Sequence, residues 1–319
     1  MLLPAIWMAA IIYACLITIL SIGFTLTYLT AKIPNFAHGT YAGIGIYVVF
    51  TMSKIFNLSP YLGFPLAFLL GGLFSVAVYV VVIQVLTRMG GGAIVLTIAT
   101  LAIQIFLQAA LYIYAFWIRE LYSTYTIGFM LKLFDFRLFD MPGIFTVSLV
   151  TCVVTVILLH YMLTRTRTGV AMRATAEDLE LSSVLGIDTN RIQIFSWFLT
   201  GGLACLAGAM YPMWFQSSPL AAAGTITSIM AGSLLGGFEN VYGAIIGGFG
   251  VGLSEIIVTF WLQQLLGSWV GEYRPLVPMI ILVAVLLVEP RGLQGLYERM
   301  MASPTGLKFL RAVGWKMEG

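Results

Sequence analysis

Pro4-Ala-Ile-Trp-Met-Ala-Ala-Ile-Ile-Tyr-Ala-Cys-Leu-Ile-Thr-Ile-Leu-Ser-Ile-Gly-Phe-Thr-Leu-Thr-Tyr-Leu-Thr30 runs without a single charged side chain. About 20 such residues in helical form cross the roughly 30 Å hydrocarbon layer of a bilayer, so this run reads as a membrane span. The segment before it lacks a basic region, so it is expected to be kept as a span and not cleaved as a signal peptide. Outward from it, further apolar runs lie between polar or Gly/Pro punctuation at 37–54, 61–87, 92–116, 143–163, 193–214, 242–266 and 274–289, with a shorter one at 224–236. The expected fold is an all-α polytopic membrane protein of about eight to nine transmembrane helices, one of them short or broken. Residues 1–289 form the membrane domain, with a loop at 164–192, and residues 290–319 form a tail.

Composition agrees. The chain has 319 residues, 60% of them hydrophobic and 9% charged, with a mean hydropathy of +0.99. Soluble domains carry roughly 25% charged residues, so a water-facing globule is excluded, as is a disordered chain. A net charge of +3 offers no basic face for nucleic acid. Cys15, Cys152 and Cys205 all sit in apolar runs and suit neither a disulfide framework nor a zinc site.

Charge asymmetry orients the spans. With the N-terminus outside and every segment crossing, Lys32, Arg88, Arg165, Arg167, Arg173, Arg191, Arg291, Arg299, Lys308, Arg311 and Lys316 fall on the cytoplasmic side. Lys54, Arg119, Lys132, Arg137 and Arg274 remain outside. The bias runs in the positive-inside direction and places the C-terminus in the cytoplasm.

Between the spans, 117–142 alternates aromatic and charged residues around Lys132-Leu-Phe-Asp-Phe-Arg-Leu-Phe-Asp140. It reads as a half-buried strand or as an interfacial segment. The loop at 164–192 reads as a helix over 170–185. Gly186 supplies the left-handed residue of a Schellman ending, Ile187 its hydrophobic contact, and Asp188 or Asn190 the cap of the next helix. Arg173, Glu177 and Glu180 share one side, and Met172, Ala176 and Leu179 form an adjoining apolar stripe. Such a helix is shaped to dock into a groove of another protein. Its acidic residues disfavour a position flat on an anionic bilayer surface.

Several stretches in order resemble the integral membrane permeases of high-affinity branched-chain amino-acid ABC importers. They are Asn35-Phe-Ala-His-Gly39, Gly169-Val-Ala-Met-Arg-Ala-Thr-Ala-Glu-Asp-Leu179 with Leu185-Gly-Ile187, Gly201-Gly-Leu-Ala-Cys-Leu-Ala-Gly208, Leu235-Gly-Gly-Phe-Glu-Asn-Val-Tyr-Gly-Ala-Ile-Ile-Gly-Gly248 and Pro290-Arg-Gly-Leu-Gln-Gly295. The resemblance implies a multi-pass permease subunit in the cytoplasmic (inner) membrane of a prokaryote. Its implied partners are ABC ATPase subunits that bind ATP and Mg, a second permease subunit forming a heterodimer or homodimer, and an extracytoplasmic substrate-binding protein. This chain itself is expected to bind lipid but no cofactor or metal. The resemblance further implies a coupling helix whose ATPase-facing residues are Arg173, Ala174, Glu177, Asp178, Gly186 and Ile187. In one departure, Glu239-Asn240 stands where a small Gly-Ser type pair is expected.

Within the membrane, Gly39 with Gly43, Gly232 with Gly236, Gly243 with Gly247 and Gly248 with Gly252 form GxxxG pairs, which let helix backbones approach closely. Gly236-Gly237 followed by Gly243 also suits a broken helix. Glu255 is an intramembrane carboxylate with no evident cationic partner in the sequence, and it is a candidate for the translocation path together with Asn35, His38, Gln104 and Gln108. Two histidines and no GxxxxGK[ST] leave no zinc-protease motif and no P-loop, so enzyme chemistry is not expected and energy must come from a partner or an ion gradient. Alternative readings keep the architecture with urea or a short amide as cargo, or make the chain an ATPase-independent secondary transporter or channel.

Overall fold

The computed structural model describes residues 4–138, 140–293 and 295, with Glu180 described through its backbone only. Most of the tail expected at 290–319, including Arg299, Lys308, Arg311 and Lys316, lies outside the described residues. In chain order the helices are α1 (Ala5–Ala31), α2 (His38–Lys54), α3 (Gly63–Val78), α4 (Gln84–Arg88), α5 (Ala93–Tyr122), α6 (Gly143–Arg165), α7 (Arg167–Glu177), α8 (Leu179–Val184), α9 (Thr189–Met210), α10 (Pro219–Ala223), α11 (Ile226–Gly236), α12 (Val241–Leu266) and α13 (Leu276–Val288). A π turn, Tyr79–Ile83, joins α3 to α4 as one rod. Seven helical runs among the described residues are long and apolar enough to cross a membrane, including the broken pair α10 and α11 as Pro219–Gly236. The architecture is all-α and polytopic, as the apolar runs predict. Two predicted spans are short: α2 has 17 residues, and α13 has 13, about 20 Å at 1.5 Å per residue.

A helix apolar on all sides belongs in the centre of a membrane bundle, and α1 is buried along most of its length, packed by α6, α9, α11 and α12. Apolar contact cannot select neighbours in lipid, where the tails are as apolar as leucine, so hydroxyls and small residues do so. Thr27 donates to the Thr200 hydroxyl at 2.8 Å, Thr200 to the Gly23 carbonyl at 3.0 Å, and Thr30 shares a 2.9 Å bond with Ser196, stitching α1 to α9. Ser21 donates to the Ile229 carbonyl at 3.2 Å and Ser233 to the Ser21 carbonyl at 3.1 Å, stitching α1 to α11. The four glycines at 232, 236, 243 and 247 mesh across the α11–α12 hairpin. A methyl at Gly236 would collide with the Gly243 carbonyl carbon, and one at Gly243 with the Gly236 carbonyl.

The hairpin turns at Gly237, whose φ of +99° favours glycine. Asn240 then caps α12, its Oδ1 accepting from the amides of Tyr242 at 2.9 Å and Gly243 at 3.2 Å. The pair that departs from the family pattern therefore has a local structural use.

Helix α5 continues to Tyr122, past the predicted end at 116. The following connection holds only a two-residue ladder, Arg137–Leu138 with Met141–Pro142, so the alternation near 132–140 does not build a longer strand. Asp135 organises it, accepting from the Tyr61 hydroxyl and from the Ile144 amide at the start of α6.

Candidate functional site

The chemically distinctive side chains gather at two places, one at each end of α1. At the end carrying α7 and α8, the predicted helix 170–185 is two helices. Thr166 caps α7 by accepting from the Gly169 amide at 3.1 Å, and Asp178 stops it, turning to an extended backbone. The Asp178 carboxylate then caps α8 through the Leu181 amide at 2.9 Å. The break has a physical reason: aspartate competes for backbone amides and starts helices better than it continues them. It also ends the predicted apolar stripe, because Leu179 belongs to α8 and is exposed, whereas Met172 is buried in this chain's own core. Helix α7 is thereby seated against α1, α6 and α9, with Arg173, Glu177 and Asp178 exposed and Ala174 half-buried.

The ending of α8 follows the expected Schellman pattern. Gly186, at φ +85°, donates to the Ser183 carbonyl at 3.1 Å, and Ile187 to Ser182 at 3.0 Å. Asp188, not Asn190, caps α9 through the Arg191 amide at 3.1 Å. Between α7 and the α11–α12 turn lies a crevice of about 300 Å³ lined by Leu26, Thr30, Met172, Arg173, Glu177 and Tyr242, among others. Lys32 and Glu239 bridge its rim at 3.0 Å.

The second place lies about 21 Å along α12 from Val241 at 1.5 Å per residue. Glu255 is 3% exposed. It accepts from the Arg274 Nε at 2.7 Å, the Tyr13 hydroxyl at 3.0 Å and the Ser228 hydroxyl at 2.7 Å. The expectation of a carboxylate without a cationic partner is thus corrected. Arg274 lies 19 residues further on, outside any helix, where spacing along the sequence carries no contact information. Its guanidinium carbon stands 4.0 Å from the centre of the Tyr13 ring and 5.8 Å from that of Phe215, the geometry of a cation–π contact. Glu255 is the buried member and Arg274 is half-buried, at 4% and 24% side-chain exposure, so loss of Arg274, which strands the carboxylate, costs up to about 3–5 kcal/mol.

Beside Tyr13 is a small cavity of about 10 Å³ walled by Leu16, Ile17, Leu20, Ile46, Gly208 and Ala222, among others, room for at most one water. The five-residue α10 forms part of its wall. Gln108 donates to the Pro219 carbonyl at the start of α10 at 2.8 Å. Just before it, Ser217 is bridged to Phe129 of the 123–142 connection.

The other candidate residues are dispersed. Gln104, one turn from Gln108, makes no side-chain hydrogen bond among the described residues. Asn35 shapes the break before α2, its Oδ1 accepting from the Ala37 amide at 3.1 Å. His38 is fully buried with its Nε2 2.9 Å from the Leu20 carbonyl oxygen. Gly39 and Gly43 face Ala222 and Leu111, so α2 rests closely against α10 and α5. The residues missed in the sequence are Arg274, Tyr13 and Ser228. Of these only Arg274, one of two charges near the junction of two apolar runs, left any trace there.

The family model described as the permease component of branched-chain amino-acid transport systems matches residues 6–286. A probable branched-chain amino-acid transport permease protein LivH from Methanocaldococcus jannaschii is 36% identical over 286 residues, covering 90% of each chain. The high-affinity branched-chain amino-acid transport system permease protein BraD from Pseudomonas aeruginosa is 27% identical, covering 87% of this chain and 91% of its own. By structure, a chain from PsaBC of Streptococcus pneumoniae in complex with Fab superposes with a TM-score of 0.52 at 12% identity, over 90% of this chain and 93% of that one, a likeness of fold. The match across nearly the whole membrane domain means that this chain belongs to the family of branched-chain amino-acid transport permeases.

Proposed function

We propose that this chain is the permease subunit of an ATP-driven importer of branched-chain amino acids, and that it converts ATPase closure into substrate movement through α7 and α8. Its full-length relatives carry names of branched-chain amino-acid transport. The observation that carries the coupling role is the seating of α7: one face is locked into the bundle through Met172, while Arg173 and Glu177 stay exposed and form no ion pair among the described residues. A helix held on one side and charged on the other transmits force from a partner.

In this reading the 164–192 loop and the C-terminus are cytoplasmic and the N-terminus is outside. The ATPase partners bind ATP and Mg, a binding protein delivers the amino acid from the opposite side, and a second permease subunit completes the path. Gly186 and Ile187 fix the far end of the coupling element. ATP shifts the permease because the ATPase contacts its two states differently. Contact of α7 with α1 carries that shift towards Glu255, since α1 bears Thr30 near α7 and Tyr13 at the ion pair.

Charge reversal Glu177→Lys tests the assignment. ATP-coupled leucine uptake is expected to be lost while membrane insertion persists, and undiminished uptake would refute the coupling role. Purification from the native host is expected to bring a P-loop ATPase with the chain; uptake that persists without any such subunit would refute the importer reading.

A further inference from the structure

We propose that Arg274 and Glu255 form the recognition site for the two charges of a zwitterionic amino acid, closed in this structure by pairing with each other. The inference deepens the reading of the chain as an amino-acid permease and rests on it.

The chemistry of the pair selects the solute. A half-buried cation and a buried anion, with 24% and 4% of their side chains exposed, part at low cost only if each finds a new partner. A solute with one charge, or none, leaves either the buried carboxylate without a cation or the guanidinium without an anion. An α-amino acid carries both charged groups on one carbon, its carboxylate for Arg274 and its ammonium for Glu255. Urea and short amides carry neither, so the same pair discriminates against them.

The surroundings suit the rest of the molecule. Tyr13, which donates to Glu255 at 3.0 Å, also walls the small cavity, whose other walls include Leu16, Ile17, Leu20 and Ile46. These are the surfaces on which a branched aliphatic side chain would rest. At about 10 Å³ the cavity must widen to take one, and the wall fitted to move is α10. It is five residues long, non-helical on both sides, and tied by the Gln108–Pro219 bond and the Ser217–Phe129 bridge. Arg274 stays poised when Glu255 turns to an ammonium, because Tyr13 and Phe215 hold the guanidinium over their ring faces.

The test uses the assembled transporter with its ATPase, its second permease subunit and its binding protein in proteoliposomes. The double substitution Glu255→Met with Arg274→Met replaces the pair by apolar groups of similar length, a change that buried pairs often tolerate. The melting temperature is expected to stay near that of the wild type, while leucine uptake at saturating loaded binding protein falls at least about 20-fold, the loss expected when a site built for polar partners loses them. A folded double variant that transports within about twofold of wild type makes the pair a structural clamp and overturns the proposal.

A second measurement stands independently of that variant's folding. Without binding protein, leucine is expected to raise the melting temperature of the wild-type assembly, and leucinamide and 4-methylpentanoate, alone or mixed, are not. Equal responses to all three, or none to leucine, overturn it. Absence of ATP-dependent leucine uptake by the wild type would instead overturn the amino-acid permease reading on which the inference rests.

Discussion

The ammonium of Lys32 lies 3.0 Å from the carboxylate of Glu239, tying the end of α1 to the turn between α11 and α12. Both side chains are well exposed, at 48% and 67%, so water screens the pair and its expected contribution is about 0.2–1 kcal/mol. Glu239→Gln should therefore move the melting temperature of the purified protein by only a degree or two. A large drop would show that the bridge holds the turn in place.

The opposite expectation attaches to Gly243. A methyl there meets the Gly236 carbonyl, part of a rigid helix backbone, so Gly243→Ala should destabilise by about 1–3 kcal/mol, the usual cost of overpacking. Gly250, on the same helix, has open space at its Cβ position. There the same substitution should stabilise by about 0.5–1 kcal/mol through helix propensity. Thermal unfolding of the two variants side by side checks the pair, and equal effects would contradict the backbone contact between α11 and α12.

Asp178 separates capping from charge. Asp178→Asn keeps a capping oxygen for the Leu181 amide, whereas Asp178→Ala removes it, at about 0.5–2 kcal/mol of local helix stability. If the geometry of α8 matters for coupling, the alanine variant should lose several-fold in ATP-coupled uptake and the asparagine variant little. Equal losses would mean that the charge itself contacts the partner.

At Gly186 the backbone stands at φ +85°, a region costing a side chain about 1–2 kcal/mol. Gly186→Ala should loosen the junction of α8 with α9 and raise amide hydrogen exchange across 182–188, while the membrane helices stay protected. Unchanged exchange there would show the ending to be held by other contacts.

Much of the architecture was legible in the residue order, because desolvating charge in hydrocarbon is so costly that spans must be nearly free of it. The helix ends near 31, 54, 165 and 266, the left-handed glycine at 186 and the meshing of the glycine pairs all follow from rules acting within a few residues. The family is also written there, in short motifs whose order survives. The break at Asp178 could have been read the same way, since a capping residue in a polar loop is a local signal.

Other features depend on the three-dimensional arrangement. α1 and α5 are both strongly apolar, yet α1 is buried while Ile94, Ile105 and Phe106 of α5 are more than 70% exposed, and hydropathy cannot distinguish a protein neighbour from lipid. Glu255 appeared to lack a cation because Arg274 reaches it from a connection beyond the end of α12, and Tyr13 and Ser228 come from α1 and α11. Such contacts arise from folding back, not from spacing. Their strength depends on close approach, so only the packed bundle brings the cation to the anion and sets both beside Tyr13, which also walls an aliphatic cavity.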